Sequence, residues 1–352
     1  MAQAQSSPEG TYAYAAKFPE HRDNAFFRAA QTLTVSSLGL GSYLGNLDDA
    51  TDQGYRGAVT EAVRGGINFI DTSLNYRHQR SERNIGDALA ALIEAGEVDR
   101  DQLVICTKAG FLVPDAFPGD VLEPADVVGG MHSMAPAFLR DQITRSRANL
   151  RTPTIDVFYL HNPETQLQHV PRDQFHRRIR AAFETCEALA SEGALRWYGV
   201  ATWSGLRTKT AGEGLCLTEL EALAREVAGP EHRFRFIQLP VNLAMLEGVT
   251  YHRERLHDRD VPVLTAGPEL GITVVASASL LQARLTKGLP DEVARRLPEA
   301  ASDAERAIQF ARSAPGVSVA LVGMSQPEHV RRNLAVAGYR PSALHEWFRS
   351  QE

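Results

Sequence analysis

The stretch "FIDTSLNYRHQRSERNIG", residues 69–86, runs out of a strand-forming segment straight onto a carboxylate. Ile67-Asn68-Phe69-Ile70 is β-branched and aromatic, suited to a strand buried on both faces. Asp71 follows at once, and Tyr76 comes five residues later in a polar segment. The helical pattern "SERNIGDALAALIEAG" begins soon after. Strand, polar loop and amphipathic helix make one unit, and the same unit recurs along the chain. Strands are expected at residues 33–35, 67–70, 103–107, 155–160, 198–200, 236–239, 272–276 and 319–322. Between them lie the helical patterns "GYRGAVTEAVRGG", "APAFLRDQITRSRANL", "FHRRIRAAFETCEALASEG" and "EVARRLPEAASDAERAIQFARSA", the last broken by its proline. Gly65-Gly66, Gly96, Gly193 and Gly271 stand where helices should stop.

Eight such units predict an α/β fold, a (β/α)8 TIM barrel, as a single domain over residues 26–352 after a flexible lead-in at residues 1–25. A doubly wound sheet is the rival. Its phosphate-binding turn is matched only by "GLGSYLG", residues 39–45, whose third glycine comes one position late for GxGxxG. Two connections, residues 109–135 and 243–268, are long for a plain barrel. They follow strands three and six, on the face where barrel chemistry occurs.

Composition narrows the function. Apolar residues make up 43% and charged residues 23% of the 352, with a formal net charge of -6 and no basic cluster suited to nucleic acid or anionic lipid. No apolar run approaches the roughly 20 residues that cross a bilayer. "MAQAQSSPEG" has neither the basic nor the apolar region of a secretory signal. Cys106, Cys186 and Cys216 are far apart, without CxxC spacing, and read as reduced thiols. The expectation is a cytoplasmic protein with no metal, no nucleic-acid partner and no membrane partner.

In a barrel, the residues that end the strands meet at the mouth. Those positions hold Asp71 after "INFI", Lys108 after "LVICT", His161 after "DVFYL", Gln238 within "FIQLP" and Ser277 after "ITVVA". Singly, each has an ordinary reading: a helix-capping carboxylate, a solvated lysine, a packing histidine. Tyr76 alone reads as a rim aromatic. Together they make chemical sense. A phenol of pKa near 10 is a poor proton donor, and an ammonium beside it stabilises phenolate. A carboxylate keeps that ammonium charged, and an imidazole opposite can orient a carbonyl oxygen. Such a group delivers a proton to a carbonyl while hydride comes from elsewhere, which calls for a nicotinamide cofactor.

At this point the sequence resembles the aldo-keto reductase family, over residues 33 to 338. "GINFIDTSLNYRHQRSERNIGDAL" is similar to its first signature, "VICTKAG" to its lysine segment and "IDVFYLHNPE" to its histidine segment. The resemblance implies a catalytic tetrad of Asp71, Tyr76, Lys108 and His161, with Tyr76 the proton donor. It also implies cofactor contacts. "GLGSY" resembles the segment beside the nicotinamide ribose, assigning Gly41, Ser42 and Tyr43, and "GMSQPEHVRRNLAVA" the adenine-end segment, assigning Gly323, Met324, His329 and Asn333. Where the family reads "GVSNF" this chain reads "GVATW", so Thr202 is expected to hold the carboxamide with Asn162 and Gln238. Ser277 stands where family members stack a tyrosine on the nicotinamide, and His329 where an arginine is frequent at the 2'-phosphate. NADP(H) is the favoured cofactor, with NAD(H) the second option.

The function implied is reduction of a small, sugar-like or other aldehyde or ketone, or oxidation of its alcohol. A cofactor-sensing regulatory subunit on the same fold is the alternative. A lyase using Lys108 as a Schiff base leaves the adenine-end match unexplained. Phe111, Phe117, Met134 and Trp203 are candidate pocket walls.

Overall fold

The computed structural model describes residues 4–116 and 119–344. Phe117 lies outside them. Eight parallel strands close into a barrel: β1 Leu38–Gly41, β2 Phe69–Asp71, β3 Val104–Ala109, β4 Ile155–His161, β5 Leu195–Ala201, β6 Phe234–Pro240, β7 Thr273–Ser277 and β8 Val317–Gly323. β8 pairs with β1 to close it. The helices that cover the outside are α1 Asp49–Arg64, α2 Arg80–Glu94, α3 Pro136–Asn149, α4 Arg172–Ser191, α5 Leu217–Ala228, α6 Val263–Glu269, α7 Asp303–Ser313 and α8 Pro327–Asn333.

Alternation along the strands sorts side chains between two cores. Phe69, Val104, Cys106, Val157, Tyr159, Phe236, Val275, Val319 and Leu321 fill the barrel interior. Their neighbours Ile70, Ile105, Phe158 and Leu160 point outward to the helices. Both faces are buried, so the strands read as continuous apolar runs.

Two expectations are corrected. Residues 33–35 do form a strand, but Leu33–Ser36 belongs to an antiparallel hairpin with Phe27–Ala30. Ala30, Leu33 and Val35 of that hairpin pack onto the barrel interior and plug its lower end. The first barrel strand is "LGLG", which β-propensity passes over. Gly39 is needed there because a Cβ would lie 2.7 Å from Leu321 and 2.9 Å from Val319.

The loose lead-in is also built differently. Pro8–Ala16 is a helix capped by Ser7, whose hydroxyl accepts from the Gly10 amide at 2.8 Å. Tyr14 is buried and donates to the Val63 carbonyl at 2.5 Å. The Ser6 amide donates to Asp156 at 2.7 Å, and the same carboxylate pairs with Arg100 at 2.8 Å. The expected break in the last long helical pattern falls between Asp291–Arg296 and α7.

Both long connections carry structure. Residues 109–135 contain a small hairpin, Val127–Val128 with His132–Ser133. Residues 243–268 contain the hairpin His252–Leu256 with Arg259–Pro262. From that hairpin the buried Glu254 reaches the start of α5 and accepts from the Leu217 and Thr218 amides at 2.9 and 3.2 Å. This satisfies donors that a helix start leaves orphaned. Among the described residues no helix is long and apolar enough to cross a membrane, and the three cysteines are free and buried.

Candidate active site

Strand register brings the expected residues to one end of the barrel. Asp71 lies level with Gly41 and Cys106, Lys108 with Tyr159, and His161 with Ala201. The Lys108 ammonium is fully buried, and each of its three donor directions is taken. It pairs with Asp71 Oδ1, donates to the Thr72 carbonyl at 2.7 Å and reaches the Tyr76 hydroxyl at 3.5 Å. The second Asp71 oxygen accepts from Gln238 Nε2 at 2.8 Å. Gln238 thus supports the carboxylate from across the barrel.

Burial sets the electrostatics. It pushes the Asp71 carboxyl up, with Lys108 and Gln238 working against it. Burial opposes the Lys108 ammonium, but Asp71 and Tyr76 outweigh it and its pKa is raised. The Tyr76 phenol is pushed up by burial, and Lys108 offsets only part of this. The lowering expected from the ammonium is therefore present but overcome. Tyr76 stands as a neutral phenol with a proton to give.

Tyr43 meets the Tyr76 ring edge-on at 5.1 Å, and His161 meets it at 5.8 Å. Burial, helped by Lys108 and His132, holds His161 well below the usual imidazole range. His161 Nδ1 lies 3.2 Å from Ser73 Oγ. Beneath it, His132 is pushed down to about 4 by burial. His132 Nε2 donates to the His161 carbonyl at 2.8 Å, while its Nδ1 accepts from Gln166 at 2.9 Å. Gly110 permits this approach, since a Cβ there would lie 2.4 Å from the His161 carbonyl. Phe111 packs edge-on against both imidazoles at 5.2 Å.

Asp71, Tyr76, Phe111, His161 and Gln238 line a cavity of about 580 Å³ that also takes in Gly41, Ser42, Tyr43, Asn162, Thr202, Trp203, Ser277 and Gly323, while the buried Lys108 stands behind Asp71 and Tyr76. Met324, His329 and Asn333 are not among its walls. Met324 is buried in the outer core, and His329 is exposed on α8. Arg331 and Arg332 pair with Glu328 at 3.2 and 2.9 Å. Of the candidate walls, Phe111 and Trp203 line the cavity, while Met134 packs in the core between strands and helices.

The Thr202 hydroxyl has its proton committed. It donates to Glu164 Oε1 at 2.6 Å and accepts from the Gly205 amide at 2.7 Å. The same Glu164 oxygen accepts from the amides of Trp203, Ser204 and Gly205 at 3.0, 3.0 and 3.2 Å. Glu164 therefore holds the loop after β5, a role its place two residues past Asn162 does not announce. Ser42 is likewise turned inward, donating to Thr72 Oγ1 at 2.8 Å. Leu44, Asn75 and the segment Ala278–Ala283 complete walls that strand-end reading misses. In that segment Ala278, Leu281, Gln282 and Ala283 all have left-handed backbones, with φ of 46–68°. Such strain concentrates at functional sites.

A model of the aldo/keto reductase family matches residues 37–288. An uncharacterized oxidoreductase of Bacillus subtilis is 23% identical over 294 residues, 80% of this chain and 81% of that protein. The D-threo-aldose 1-dehydrogenase of a Pseudomonas species is 29% identical over 182 residues, 49% of this chain and 51% of its own length. The NADH-specific methylglyoxal reductase of Escherichia coli is 29% identical over 177 residues, 48% and 49% of the two chains. Among solved structures, the glycerol dehydrogenase of Gluconobacter oxydans matches with a TM-score of 0.64 at 21% identity, over 92% of this chain and 93% of that one. An aldo/keto reductase from Klebsiella pneumoniae in complex with NADP and acetate matches with a TM-score of 0.63 at 20% identity, over 92% of this chain and 93% of that one. The structural likeness speaks to the fold. The family model takes in well over half of the sequence, including the segments that carry Asp71, Tyr76, Lys108 and His161, and the chain belongs to the aldo/keto reductase family.

Proposed function

We propose that this protein is an NAD(P)H-dependent oxidoreductase that interconverts an aldehyde or ketone with its alcohol, with Tyr76 as general acid in reduction and general base in oxidation. The observation that carries this reading is the buried Lys108 ammonium, saturated by Asp71, Thr72 and Tyr76 behind the cavity wall that Asp71 and Tyr76 form. An ammonium so placed stabilises the phenolate that forms as Tyr76 gives up its proton. Asp71, held by Gln238, keeps that ammonium protonated throughout. His161 orients the substrate from the opposite wall, and Phe111, Tyr43 and Trp203 exclude water from the reacting atoms.

The cavity fits the nicotinamide end of a cofactor. Gly323 leaves open space where a side chain would stand, and the small Ser277 ends the neighbouring strand β7 on the same wall. Gly41, Ser42, Tyr43, Asn162, Gln238, Ser277 and Gly323 would hold that end, and the loop at Thr202 would border it. Met324, His329 and Asn333 would serve the adenine end beyond the cavity. When bound, the nicotinamide supplies or accepts the hydride. NADP(H) is favoured, because α8 presents His329 and two arginines outward. The names of relatives point both ways, one to NADH and one structure to NADP.

The test is a panel of aldehydes, ketones and alcohols with both cofactors, followed by nicotinamide absorbance. Turnover that vanishes in Tyr76→Phe supports the reading. No absorbance change with any pair refutes it.

A further inference from the structure

His132 is a fully buried imidazole on the hairpin of the long connection after β3, outside the tetrad. Both of its ring nitrogens are engaged, and the sense of each bond is forced from the two ends of a chain. Arg178 on α4 can only donate, and its guanidinium bonds to Gln166 Oε1 and to the Ala125 carbonyl, the latter at 2.7 Å. Gln166 therefore turns its Nε2 to His132 Nδ1 at 2.9 Å, and Nδ1 must accept. At the other end the His161 carbonyl can only accept, so His132 Nε2 carries the proton across 2.8 Å. Turning the Gln166 amide around would face its N–H groups to the guanidinium. It would also require a second proton on an imidazole that burial pushes down to about 4. The chain has one direction, from the Arg178 guanidinium to the His161 carbonyl.

We propose that His132 is a positioning residue for His161, and that Arg178 and Gln166 hold it in the Nε2–H form this contact requires. The carbonyl it grips belongs to the peptide between His161 and Asn162, where β4 ends and the backbone turns left-handed at Asn162, with φ of 49°. Such a turn persists only where its surroundings fix it. The fixing segment lies in direct contact, since a Cβ at Gly110 would stand 2.4 Å from the His161 carbonyl and 2.7 Å from His132 Nε2. That segment is itself laced to the hairpin. The Leu112 amide donates to the Met131 carbonyl and the Ser133 amide to the Gly110 carbonyl, each at 2.8 Å. Phe111, between those two bonds, packs against both imidazoles. His161 is thus set from its main chain while its side chain lines the cavity. The effect on rate rests on the carbonyl-reduction reading, but the form of His132 does not.

Long-range proton–nitrogen correlation spectra of histidine-labelled protein read the imidazoles directly, with His132→Gln and His161→Asn assigning the two signals. In the wild type His132 should be protonated at Nε2 alone near neutral pH, and a proton on Nδ1 overturns the proposal. Arg178→Met removes the head of the chain, and it should shift the His132 and His161 signals together. A His161 signal that stays in place overturns the positioning role. The kinetic readout is kcat/KM on any carbonyl compound that the wild type reduces. His132→Phe keeps an aromatic ring but has no proton to donate, and it should lower kcat/KM about two- to tenfold, the worth of one hydrogen bond. His132→Gln presents an N–H near the place of Nε2 and should recover most of that loss. Full activity in His132→Phe, or no recovery in His132→Gln, likewise overturns the role. If no carbonyl compound is turned over, the reduction reading fails, and the Arg178→Met spectra still decide whether His132 sets His161.

Discussion

Replacing Lys108 by Met should convert a paired carboxylate into a buried, nearly unsupported one. Asp71 is 3% exposed, and without the ammonium only Gln238 still donates to it. Stranding one member of a buried ion pair costs about 3–5 kcal/mol, and a carboxyl relieves that cost by taking a proton. The sign of the pH dependence follows. Below the unfolded pKa of about 3.9, folded and unfolded chains both hold the proton, and no ionisation penalty remains. Above it the unfolded chain ionises while the folded one keeps its proton, so stability falls by about 1.4 kcal/mol per pH unit. A total of about 4 kcal/mol corresponds to roughly three pH units of that slope, so the loss continues upward from the unfolded value through the weakly acidic range. About 1.5 kcal/mol is thus gone by pH 5, and about 2.5 kcal/mol more by pH 7.

The reference is the double variant Asp71→Asn/Lys108→Met, which has no carboxyl to titrate. An unfolding entropy of about 2.1 cal/mol/K per residue gives this chain roughly 0.7 kcal/mol/K, so 2.5 kcal/mol is about 3–4 °C in Tm. Thermal scans at one rate should find Lys108→Met about 2 °C below the double variant at pH 5 and about 3–4 °C further below it at pH 7. A gap that stays constant from pH 5 to 7 would refute the account of Asp71 as a carboxylate dependent on Lys108.

Tyr76→Phe should lower kcat by about 10²–10⁴-fold while nicotinamide affinity, read by fluorescence titration, changes little; a tenth of the wild-type rate retained would remove Tyr76 as the acid. Glu164→Gln keeps an acceptor for the Thr202 hydroxyl and the three amides, but the bonds lose their charge assistance. It should lower Tm by roughly 2–4 °C, matching the 1.5–3 kcal/mol of hydrogen bonds to a charged group, and an unchanged Tm would count against its holding role. Arg312→Met should be among the costlier single changes. Arg312 is fully buried and donates to Ser37 Oγ, Gln309 Oε1 and the carbonyls of Asn24 and Tyr339 at 2.7–2.9 Å. Orphaning those acceptors should cost about 3–5 kcal/mol and show as a Tm lower by about 4–7 °C; a loss under 1 °C would mean that water replaces the guanidinium.

The strand ends are legible in the sequence because each apolar run stops abruptly on a polar side chain, at Asp71, Lys108 and His161. Buried parallel strands have no alternation to obscure that boundary. What escapes is anything settled by a distant partner. Glu164 matters through Thr202, thirty-eight positions away, and His132 through His161, twenty-nine positions away. The N-terminal helix escapes for another reason: "PEGTYAYAA" has no apolar stripe, and its place is fixed by Tyr14 and the cap at Ser7. Met324 and His329 match a motif, yet side-chain burial puts one in the core and the other on the surface.

The short glycine-bearing β1 has a meaning during synthesis. Its outer edge pairs with β8, and 275 residues lie between Gly41 and Val317. At about 5–20 residues per second, that edge waits roughly 15–55 s on the ribosome for its partner. A long strand rich in valine and isoleucine left open for that time would be a template for pairing with other chains. Leu38–Gly41 offers four residues, two of them glycine, which is a poor template. The weak strand propensity that conceals β1 from a reading of the sequence also shelters the nascent chain until Val317–Gly323 arrives. Arg312, in the helix just before that strand, then ties the early Asn24 to the late Tyr339 and seals the lower end.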